Sequence, residues 1–195
     1  MSYIWLLILA YLVGALPFGL LIAKSFCHID LRQSGSKNIG ATNVARSCGL
    51  KFGIAALVLD ILKGYLPVAL AVYMSSSAFF WTLVALAAIL GHMYSVFLYG
   101  KGGKGVATSV GIFLALSPTA LFWGVGVCLA LIYLTGYVSL GSLALVSVVP
   151  LVLLLSGNFS LVFVGLVIMG LVFWKHRENI DRLLQGRESS WRRES

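Results

Sequence analysis

The polar residues that could bind an anion are concentrated in three short segments. The first, residues 32–46, reads Arg-Gln-Ser-Gly-Ser-Lys-Asn-Ile-Gly-Ala-Thr-Asn-Val-Ala-Arg and combines cations with hydroxyls, amides and glycines. Backbone N–H groups, short side-chain donors and fixed positive charge together suit a phosphate group. A simple turn needs far fewer residues. The segment therefore favours a phosphate site over the alternative, a solvated turn.

The second segment, Gly100-Lys-Gly-Gly-Lys-Gly105, leads into Val-Ala-Thr108. Glycine lets the backbone approach an anion closely, and a helix that follows would direct its N-terminal N–H groups to the same place, with Lys104 at its mouth. The glycines match G-x-G-x-x-G, but no strand precedes them, and Val106 follows where a Walker A motif needs Lys-Ser/Thr. A dinucleotide fold and a P-loop ATPase are both excluded. The alternative is a flexible basic turn at the membrane interface.

The third segment, residues 174–188, reads Trp-Lys-His-Arg-Glu-Asn-Ile-Asp-Arg-Leu-Leu-Gln-Gly-Arg-Glu. His176 and Asp181 match H-x4-D, the signature of one acyltransferase superfamily. Five residues are about 140° apart on a helix, so the two side chains do not share a face. His176 and Asn179, three residues apart, could contact one ligand together. The alternative is a basic interfacial anchor.

A few polar residues lie within or beside apolar runs. Asp60 and Lys63 are three residues apart inside one run, and each intramembrane charge costs about 2.5–3.5 kcal/mol on insertion scales. A structural ion pair and a catalytic role both remain open for them. Ser139 and Ser142 could bond a phosphate or a neighbouring helix. The three histidines are isolated from any cysteine or carboxylate cluster, so no metal site is predicted.

The composition assigns these segments to a membrane protein. Of the 195 residues, 60% are hydrophobic and 10% are charged, whereas soluble domains average about 45–50% apolar and about 25% charged residues. A soluble, disordered, collagen-like or disulfide-stapled chain is therefore excluded. The start, Met-Ser-Tyr-Ile-Trp, lacks the basic region of a signal peptide, so the first apolar run is expected to be retained. The three cysteines are expected to be free thiols.

The predicted fold is all-α: a polytopic integral membrane protein with about seven transmembrane helices. A single transmembrane domain covers 1–195, with a cytosolic interfacial tail over 176–195. The predicted spans are 3–23, 52–73, 79–99, 105–117, 119–136, 138–155 and 159–174. A crossing needs roughly 20 residues, so the fourth is short and the last is marginal. Pro118 is expected to divide 105–136 into a hairpin; the alternative is one long kinked helix and fewer crossings.

The distribution of charge orients these helices. Lys and Arg number 14 against 6 Asp and Glu, for a net charge of +8. Every Lys and Arg lies in or beside 24–51, 63, 101–104 or 175–193. Cytoplasmic loops are rich in Lys and Arg, so these segments are expected in the cytosol, with the N-terminus outside and the C-terminus inside. An odd number of crossings is consistent with that orientation.

Taken together, the segments resemble the bacterial acyl-phosphate:glycerol-3-phosphate acyltransferases of the PlsY type. The resemblance covers nearly the whole chain and is carried by Gly35-Ser-Lys-Asn-Ile-Gly-Ala-Thr-Asn43 with Arg46, Asp60 with Lys63-Gly64, Gly91-His92, Gly102-Gly-Lys-Gly-Val-Ala-Thr108, Ser139-Leu-Gly-Ser142 and His176-Arg-Glu-Asn-Ile180. Two positions depart from the family pattern. Lys37 stands where the family usually has Gly, and Ser95 stands where Pro often follows the Gly-His pair. Ser95 is expected to loosen the start of the second segment.

The resemblance implies a reaction. An acyl phosphate gives its fatty acyl group to the 1-hydroxyl of glycerol 3-phosphate, forming 1-acylglycerol 3-phosphate (lysophosphatidate) and inorganic phosphate. The donor is already activated, so no covalent acyl-enzyme is expected. The family uses neither acyl-CoA nor acyl carrier protein as the direct donor, and no cofactor, metal or nucleic acid is implied. The protein is expected to be a multi-pass protein of the bacterial cytoplasmic (inner) membrane, with its active site on the cytosolic side.

The resemblance also implies site residues. Glycerol 3-phosphate would be bound by Arg46, Lys104, Ser142, His176 and Asn179. The acyl phosphate would be bound by Ser36, Asn38, Thr42, Asn43, Gly102, Gly103, Gly105 and Thr108. The first choice for the proton acceptor is the donor phosphate itself, and His176 and Asp60 are the candidates within the protein.

Two other classes of function would also use a basic face on a membrane protein. A transporter of phosphate or organophosphate explains the basic, glycine-rich inner face but not the short, uncharged loops on the opposite side. A lipid-binding scaffold would not need so many convergent donors. The enzymatic interpretation depends on the three polar segments converging on one side of the membrane.

Overall fold

The computed structural model describes residues 3–193, so the two residues at each end of the predicted domain lie outside it. Over the described range the chain forms ten α-helices and two short 3-10 helices. The first six α-helices are α1 (Ile4–Ala15), α2 (Phe18–Cys27), α3 (Ala41–Cys48), α4 (Leu50–Met74), α5 (Ala78–Met93) and α6 (Val106–Leu116). The last four are α7 (Pro118–Thr135), α8 (Val138–Leu155), α9 (Phe159–Lys175) and α10 (Arg177–Leu184). The 3-10 helices are Val96–Leu98 and Trp191–Arg193.

The helix ends follow from local sequence. Pro118 is the first residue of α7, a position where its missing N–H costs nothing. Ser117 caps the same helix by accepting a hydrogen bond from the Ala120 N–H at 3.4 Å. Gly136 ends α7 with φ of 79°, in the left-handed region that glycine adopts without strain. The predicted division of 105–136 into two helices at Pro118 is therefore confirmed.

The chain divides into two compact units. The first ends at Ala115 and contains α1 to α6; the second begins at Leu116 and contains α7 to α10. In the first unit, α1 packs on α4 and α5, and α4 also contacts α2 and α3. In the second, α8 contacts both α7 and α9. The single domain over 1–195 stays a prediction.

Small residues allow the helix backbones of the first unit to approach closely. A methyl group at Gly14 of α1 would overlap the carbonyl of Ala88 in α5, and one at Gly91 of α5 would overlap the carbonyl of Tyr11. Small residues at helix contacts are typical of membrane bundles, where packing rather than exclusion of water holds helices together. The pair α1 and α5 therefore depends on both glycines.

Within residues 3–193, five helical stretches are long and apolar enough to cross a membrane: Ile4–Cys27, Leu50–Met74, Ala78–Leu98, Pro118–Thr135 and Val138–Leu155. A sixth is added if α9 and α10, which meet at a 65° bend, count as one span. The polytopic all-α prediction is confirmed. The count of seven is not, because α6 has only 11 residues. Its length of about 16 Å is roughly half of the hydrocarbon thickness.

Two local features differ from the predicted spans. The first span is broken, because α1 ends at Ala15 and α2 begins at Phe18, on either side of Leu16 and Pro17. The predicted cytosolic segment 24–51 is not all loop, since α3 occupies Ala41–Cys48. Proline explains the first difference because it lacks the N–H that would continue the helix.

Candidate active site

A loop over residues 28–40, here called the polar loop, joins α2 to α3 and is organised by one side chain. Asn43 is 2% exposed. Its amide nitrogen donates to the carbonyls of Asn38 at 2.8 Å, Ser34 at 3.0 Å and Leu31 at 3.4 Å. Its amide oxygen accepts the Ser36 N–H at 3.0 Å. Asn43 therefore fixes the backbone of the polar loop from its buried side. The predicted contact of Asn43 with a donor phosphate stays a prediction.

The surface of the polar loop carries the other predicted donors. The side chains of Ser36 and Thr42 are exposed, and the Asn38 side-chain oxygen accepts the Gly40 N–H at 2.8 Å. Lys37 has φ of 57°, in the left-handed region that costs a non-glycine residue about 1–2 kcal/mol. This conformation gives a physical reason why glycine suits the position that Lys37 fills in this chain.

An ion pair neutralises one cation of the polar loop. The Arg32 guanidinium donates to the Asp30 carboxylate at 2.6 Å, and Lys24 lies 3.7 Å from the same carboxylate. The hydrogen bonds from Arg32 hold the pKa of Asp30 well below its usual range. Both side chains of the Asp30–Arg32 pair are solvent-accessible, so the pair orders the loop locally and adds little to stability.

The second segment, here called the glycine turn (residues 100–105), packs against the end of α5. The Gly102 N–H donates to the Met93 carbonyl at 3.2 Å, and the Gly103 N–H donates to the His92 carbonyl at 3.1 Å. A methyl group at Gly102 would overlap the His92 carbonyl, and one at Gly103 would overlap the His92 ring. These glycines are thus explained by close packing on α5, a reason that the sequence did not reveal.

Lys104, Gly105 and Thr108 lie where the glycine turn enters α6. Lys104 is half-buried, and Gly105 has φ of 86°. Thr108 is fully buried, and among the described residues its hydroxyl has no hydrogen-bond partner. The first N–H groups of a helix have no partner within the helix, so this end of α6 can accept an anion.

Asp60 and Lys63 form the buried ion pair that one of the two interpretations predicted. The Lys63 ammonium lies 2.8 Å from the Asp60 carboxylate, and both residues are 3% exposed. Lys63 also donates to the Leu16 carbonyl at 2.7 Å. The structure therefore gives Asp60 a partner on its own helix; its candidacy as a proton acceptor stays a prediction.

In the second unit, His176 lies at the bend between α9 and α10. It is 3% exposed, and its Nδ1 lies 2.8 Å from the Val172 carbonyl. A carbonyl can only accept a hydrogen bond, so Nδ1 of His176 carries a hydrogen that is directed to this carbonyl. Asp181 is exposed. The His176 ring is thus oriented by its own helix backbone.

Asn179 is bound to a carboxylate that sequence analysis gave no role. Its amide nitrogen donates to Glu188 Oε1 at 2.6 Å, and Arg182 Nε donates to Glu188 Oε2 at 2.7 Å. Burial opposes ionisation of Glu188, but hydrogen bonds from Asn179 and Arg182 outweigh it and lower the pKa of Glu188. Glu188 is 8% exposed. No sequence pattern identifies Glu188, because its role depends on its burial, which the sequence does not show.

The residues after α10 fold back onto the turn between α7 and α8. The Trp191 N–H donates to the Gly136 carbonyl at 3.0 Å, and a methyl group at Gly136 would overlap the Ser190 hydroxyl. The first turn of α8 is also held by its own residues, since the Ser142 hydroxyl donates to the Val138 carbonyl at 2.8 Å. The residues after α10 thus contact the turn that precedes α8.

The predicted site residues are divided between the two units. All of the residues predicted to bind the acyl phosphate lie in the first unit, with Arg46 and Lys104; Ser142, His176 and Asn179 lie in the second. Within the first unit the structure joins Asn43, Asn38 and Ser36 through the polar loop. Within the second unit, His176 is the N-cap residue of α10 and Asn179 lies in the first turn of the same helix. These are clusters of buried donors at the ends of apolar helices, in a polytopic helical membrane protein.

The family of this membrane protein follows from comparison with known proteins. The model of the glycerol-3-phosphate acyltransferase family matches residues 4–186. The glycerol-3-phosphate acyltransferase of Maridesulfovibrio salexigens is 49% identical over 99% of both chains. That of Nitratidesulfovibrio vulgaris is 55% identical over 98% of this chain, which spans 58% of the length of that relative.

Two solved structures have the same fold. Crystal structures of PlsY, an integral membrane glycerol 3-phosphate acyltransferase, superpose with TM-scores of 0.93 for its glycerol 3-phosphate form and 0.89 for its lysophosphatidic acid form. Sequence identities are 43% and 42%, and each match covers 96% of this chain and 94% of the other. The chain belongs to the glycerol-3-phosphate acyltransferase family, PlsY type, which confirms the resemblance carried by its motifs.

Proposed function

We propose that this acyltransferase uses an acyl phosphate as its donor and transfers the acyl group directly to the 1-hydroxyl of glycerol 3-phosphate. The products are lysophosphatidate and inorganic phosphate, and no acyl-enzyme forms. The protein acts in the bacterial cytoplasmic membrane with its active site on the cytosolic side. The basic segments around the polar loop, the glycine turn and α10 support that orientation.

The arrangement around His176 carries this proposal. The Nδ1 hydrogen of His176 is directed to the Val172 carbonyl, and Asp181 of the H-x4-D match is exposed. The proposed reaction therefore does not require a carboxylate to orient His176 as a base. An acyl phosphate does not require one, because its leaving group is a stable phosphate that can itself accept the proton of the reacting hydroxyl.

The engagement of the hydroxyl side chains also favours direct transfer. Ser142 donates to the Val138 carbonyl and Ser109 to the Gly105 carbonyl, both at 2.8 Å. A nucleophilic serine needs an adjacent base within hydrogen-bond reach, and these two hydroxyls donate to backbone carbonyls, which do not act as bases.

The remaining task is to bring two phosphorylated reactants together. Two unit charges about 6 Å apart repel by roughly 3 kcal/mol at an effective dielectric of about 20. We assign Arg46, Lys104, Ser142, His176 and Asn179 to glycerol 3-phosphate. We assign the polar loop, the glycine turn and the start of α6 to the donor phosphate. Fixed cations and N–H groups offset the repulsion, and positioning of the hydroxyl supplies much of the acceleration.

Donor specificity tests this proposal directly. Purified protein is incubated with glycerol 3-phosphate and, in parallel, an acyl phosphate, an acyl-CoA or an acylated carrier protein, and lysophosphatidate and phosphate are measured. We expect product only with the acyl phosphate, in one-to-one ratio with phosphate. Labelled acyl phosphate without glycerol 3-phosphate should leave no label on the protein. Equal rates with acyl-CoA, or stoichiometric acylation of the protein, would contradict the proposal.

Lys104→Ala tests the assignment of glycerol 3-phosphate. Loss of a charge-assisted bond to phosphate is expected to raise the KM for glycerol 3-phosphate by at least about tenfold. Lys101→Ala is the matched control, because Lys101 lies in the same turn and is exposed. Steady-state kinetics with each substrate varied in turn make the measurement. Equal kinetics for the two variants would remove Lys104 from the site.

A further inference from the structure

The break in the first span leaves backbone carbonyls that need donors. Pro17, between α1 and α2, has no N–H, and the Leu16 carbonyl accepts only a short-range bond from the Phe18 N–H at 3.1 Å within its own span. Unsatisfied backbone groups are costly at membrane depth. In an unbroken helix the Ala15 carbonyl would accept the N–H four residues later.

Two other parts of the first unit supply the missing donors. The Ser95 hydroxyl donates to the Ala15 carbonyl at 2.6 Å, and the Lys63 ammonium donates to the Leu16 carbonyl at 2.7 Å. Ser95 is 1% exposed. We call Ala15, Leu16, Lys63 and Ser95 the junction. The expectation that Ser95 loosens the chain after α5 is wrong, because its hydroxyl ties this point to α1.

The junction is connected to the polar loop through α2. Gly19, at the start of α2, packs so closely on the polar loop that a methyl group there would overlap the Ile39 carbonyl. Leu20, Leu31 and Ile39 share one buried apolar cluster. The position of α2 therefore determines the position of the polar loop. The position of α2 depends in turn on the backbone conformation at the break between α1 and α2.

The same junction is connected to the glycine turn through the backbone of Ser95. The Ser95 carbonyl accepts the N–H groups of Leu98 at 3.1 Å and Gly100 at 2.9 Å. Its φ of −61° and ψ of 125° begin the 3-10 helix that leads to the glycine turn. One residue thus contacts α1 with its side chain and the start of the glycine turn with its backbone.

We propose that Ser95 is a positioning residue that holds the polar loop and the glycine turn in register by fixing the junction. This inference rests on the proposed function, in which both segments bind the acyl phosphate. Ser95 touches no substrate in this account. It acts through the Ala15 carbonyl on one side and through the Gly100 N–H on the other.

Native cysteines provide a probe that does not depend on activity. Cys27 ends α2 and Cys48 ends α3, so they flank the polar loop, and both are half-buried. In a background with Cys128→Ala, the rate of alkylation by a small neutral maleimide reports opening of α2 and α3. Ser95→Ala should raise this rate about tenfold, the factor expected for one buried hydrogen bond. It should also raise the KM for acyl phosphate about tenfold with little change in kcat.

Two matched variants complete the experiment. Ser95→Thr keeps the hydroxyl and should restore both values. Ser147→Ala removes a half-buried hydroxyl that donates to the Leu143 carbonyl at 2.9 Å in α8, and it should leave both values unchanged. If Ser95→Ala is alkylated at the rate of Ser147→Ala, the inference is overturned. If the parent protein does not use acyl phosphate, the proposed function fails, whereas the alkylation rates still decide the role of Ser95.

Discussion

Asn43 and Asn179 are both buried asparagines in predicted phosphate-binding segments, and their surroundings differ in charge. Asn43 bonds to the backbone of the polar loop, through three carbonyls and one N–H. Asn179 bonds to the carboxylate of Glu188, which Arg182 also contacts. The first arrangement is neutral and local in sequence. The second is ionic and joins α10 to residues beyond its end.

The difference predicts how each region responds to solution conditions. Hydrogen bonds between an amide and backbone groups do not titrate, so the contacts of Asn43 with the polar loop should be insensitive to acid. The exposed Asp30–Arg32 pair of that loop does titrate but adds little to stability. The lowered pKa of Glu188 means that its carboxylate stabilises the folded chain only while it is ionised. We therefore expect acid to weaken the second region before the first.

The largest effect is expected from Asn43→Ala. It removes the donor to three buried or half-buried carbonyls and the acceptor of the Ser36 N–H. Each unsatisfied group costs about 1–3 kcal/mol, so a fall in Tm on the order of 10 °C and loss of activity are expected. Thermal unfolding in detergent measures it, with Asn158→Ala as the control, because Asn158 is exposed. Equal Tm values for the two variants would contradict the role of Asn43.

Glu188→Gln should have a smaller effect that depends on pH. The neutral amide loses its charged bond to Arg182, a change of about 1.5–3 kcal/mol, or a Tm shift on the order of 5 °C at neutral pH. The folded-state pKa of Glu188 is lowered. Its contribution is therefore present above the unfolded pKa of about 4.3 and is lost as the pH falls through the folded pKa.

The Tm difference between the parent and Glu188→Gln should consequently shrink as the pH falls below about 4. Glu178→Gln is the control, because Glu178 is an exposed glutamate in α10, next to Asn179. A Tm difference that persists unchanged in acid would show that the Glu188 charge is not what holds Asn179. Asn43→Ala should show no such pH dependence, and this contrast tests the comparison itself.

The smallest effect is expected from Lys37→Gly. Relief of the left-handed conformation at Lys37 gains about 1–2 kcal/mol, and the greater flexibility of glycine offsets about half of it. A rise in Tm of roughly 1–3 °C should result. Gln33→Gly is the control, because Gln33 is exposed in the same loop without a positive φ, and it should lower Tm. A fall with both variants would mean that strain at Lys37 is unimportant.

The sequence predicted the membrane class and most helix limits because apolar runs and prolines determine both. Pro118 marked a helix start, and an ion pair between Asp60 and Lys63 was one of the two interpretations that the sequence left open. The sequence did not predict that Gly102 and Gly103 donate their N–H groups to α5, since glycine is equally compatible with packing and with anion binding. Glu188 was missed for a related reason: a glutamate in a basic tail looks solvated until its burial is known.

The ion pair of Asp60 and Lys63 lies on a single helix, one turn apart. Its two charges can therefore neutralise each other while α4 is being inserted into the bilayer, before Lys63 packs against the Leu16 carbonyl. A helix with only one of them would meet an insertion cost of about 2.5–3.5 kcal/mol at that step. Membrane insertion thus constrains Asp60 and Lys63 together. A substitution of either residue is best tolerated when the other residue is also replaced.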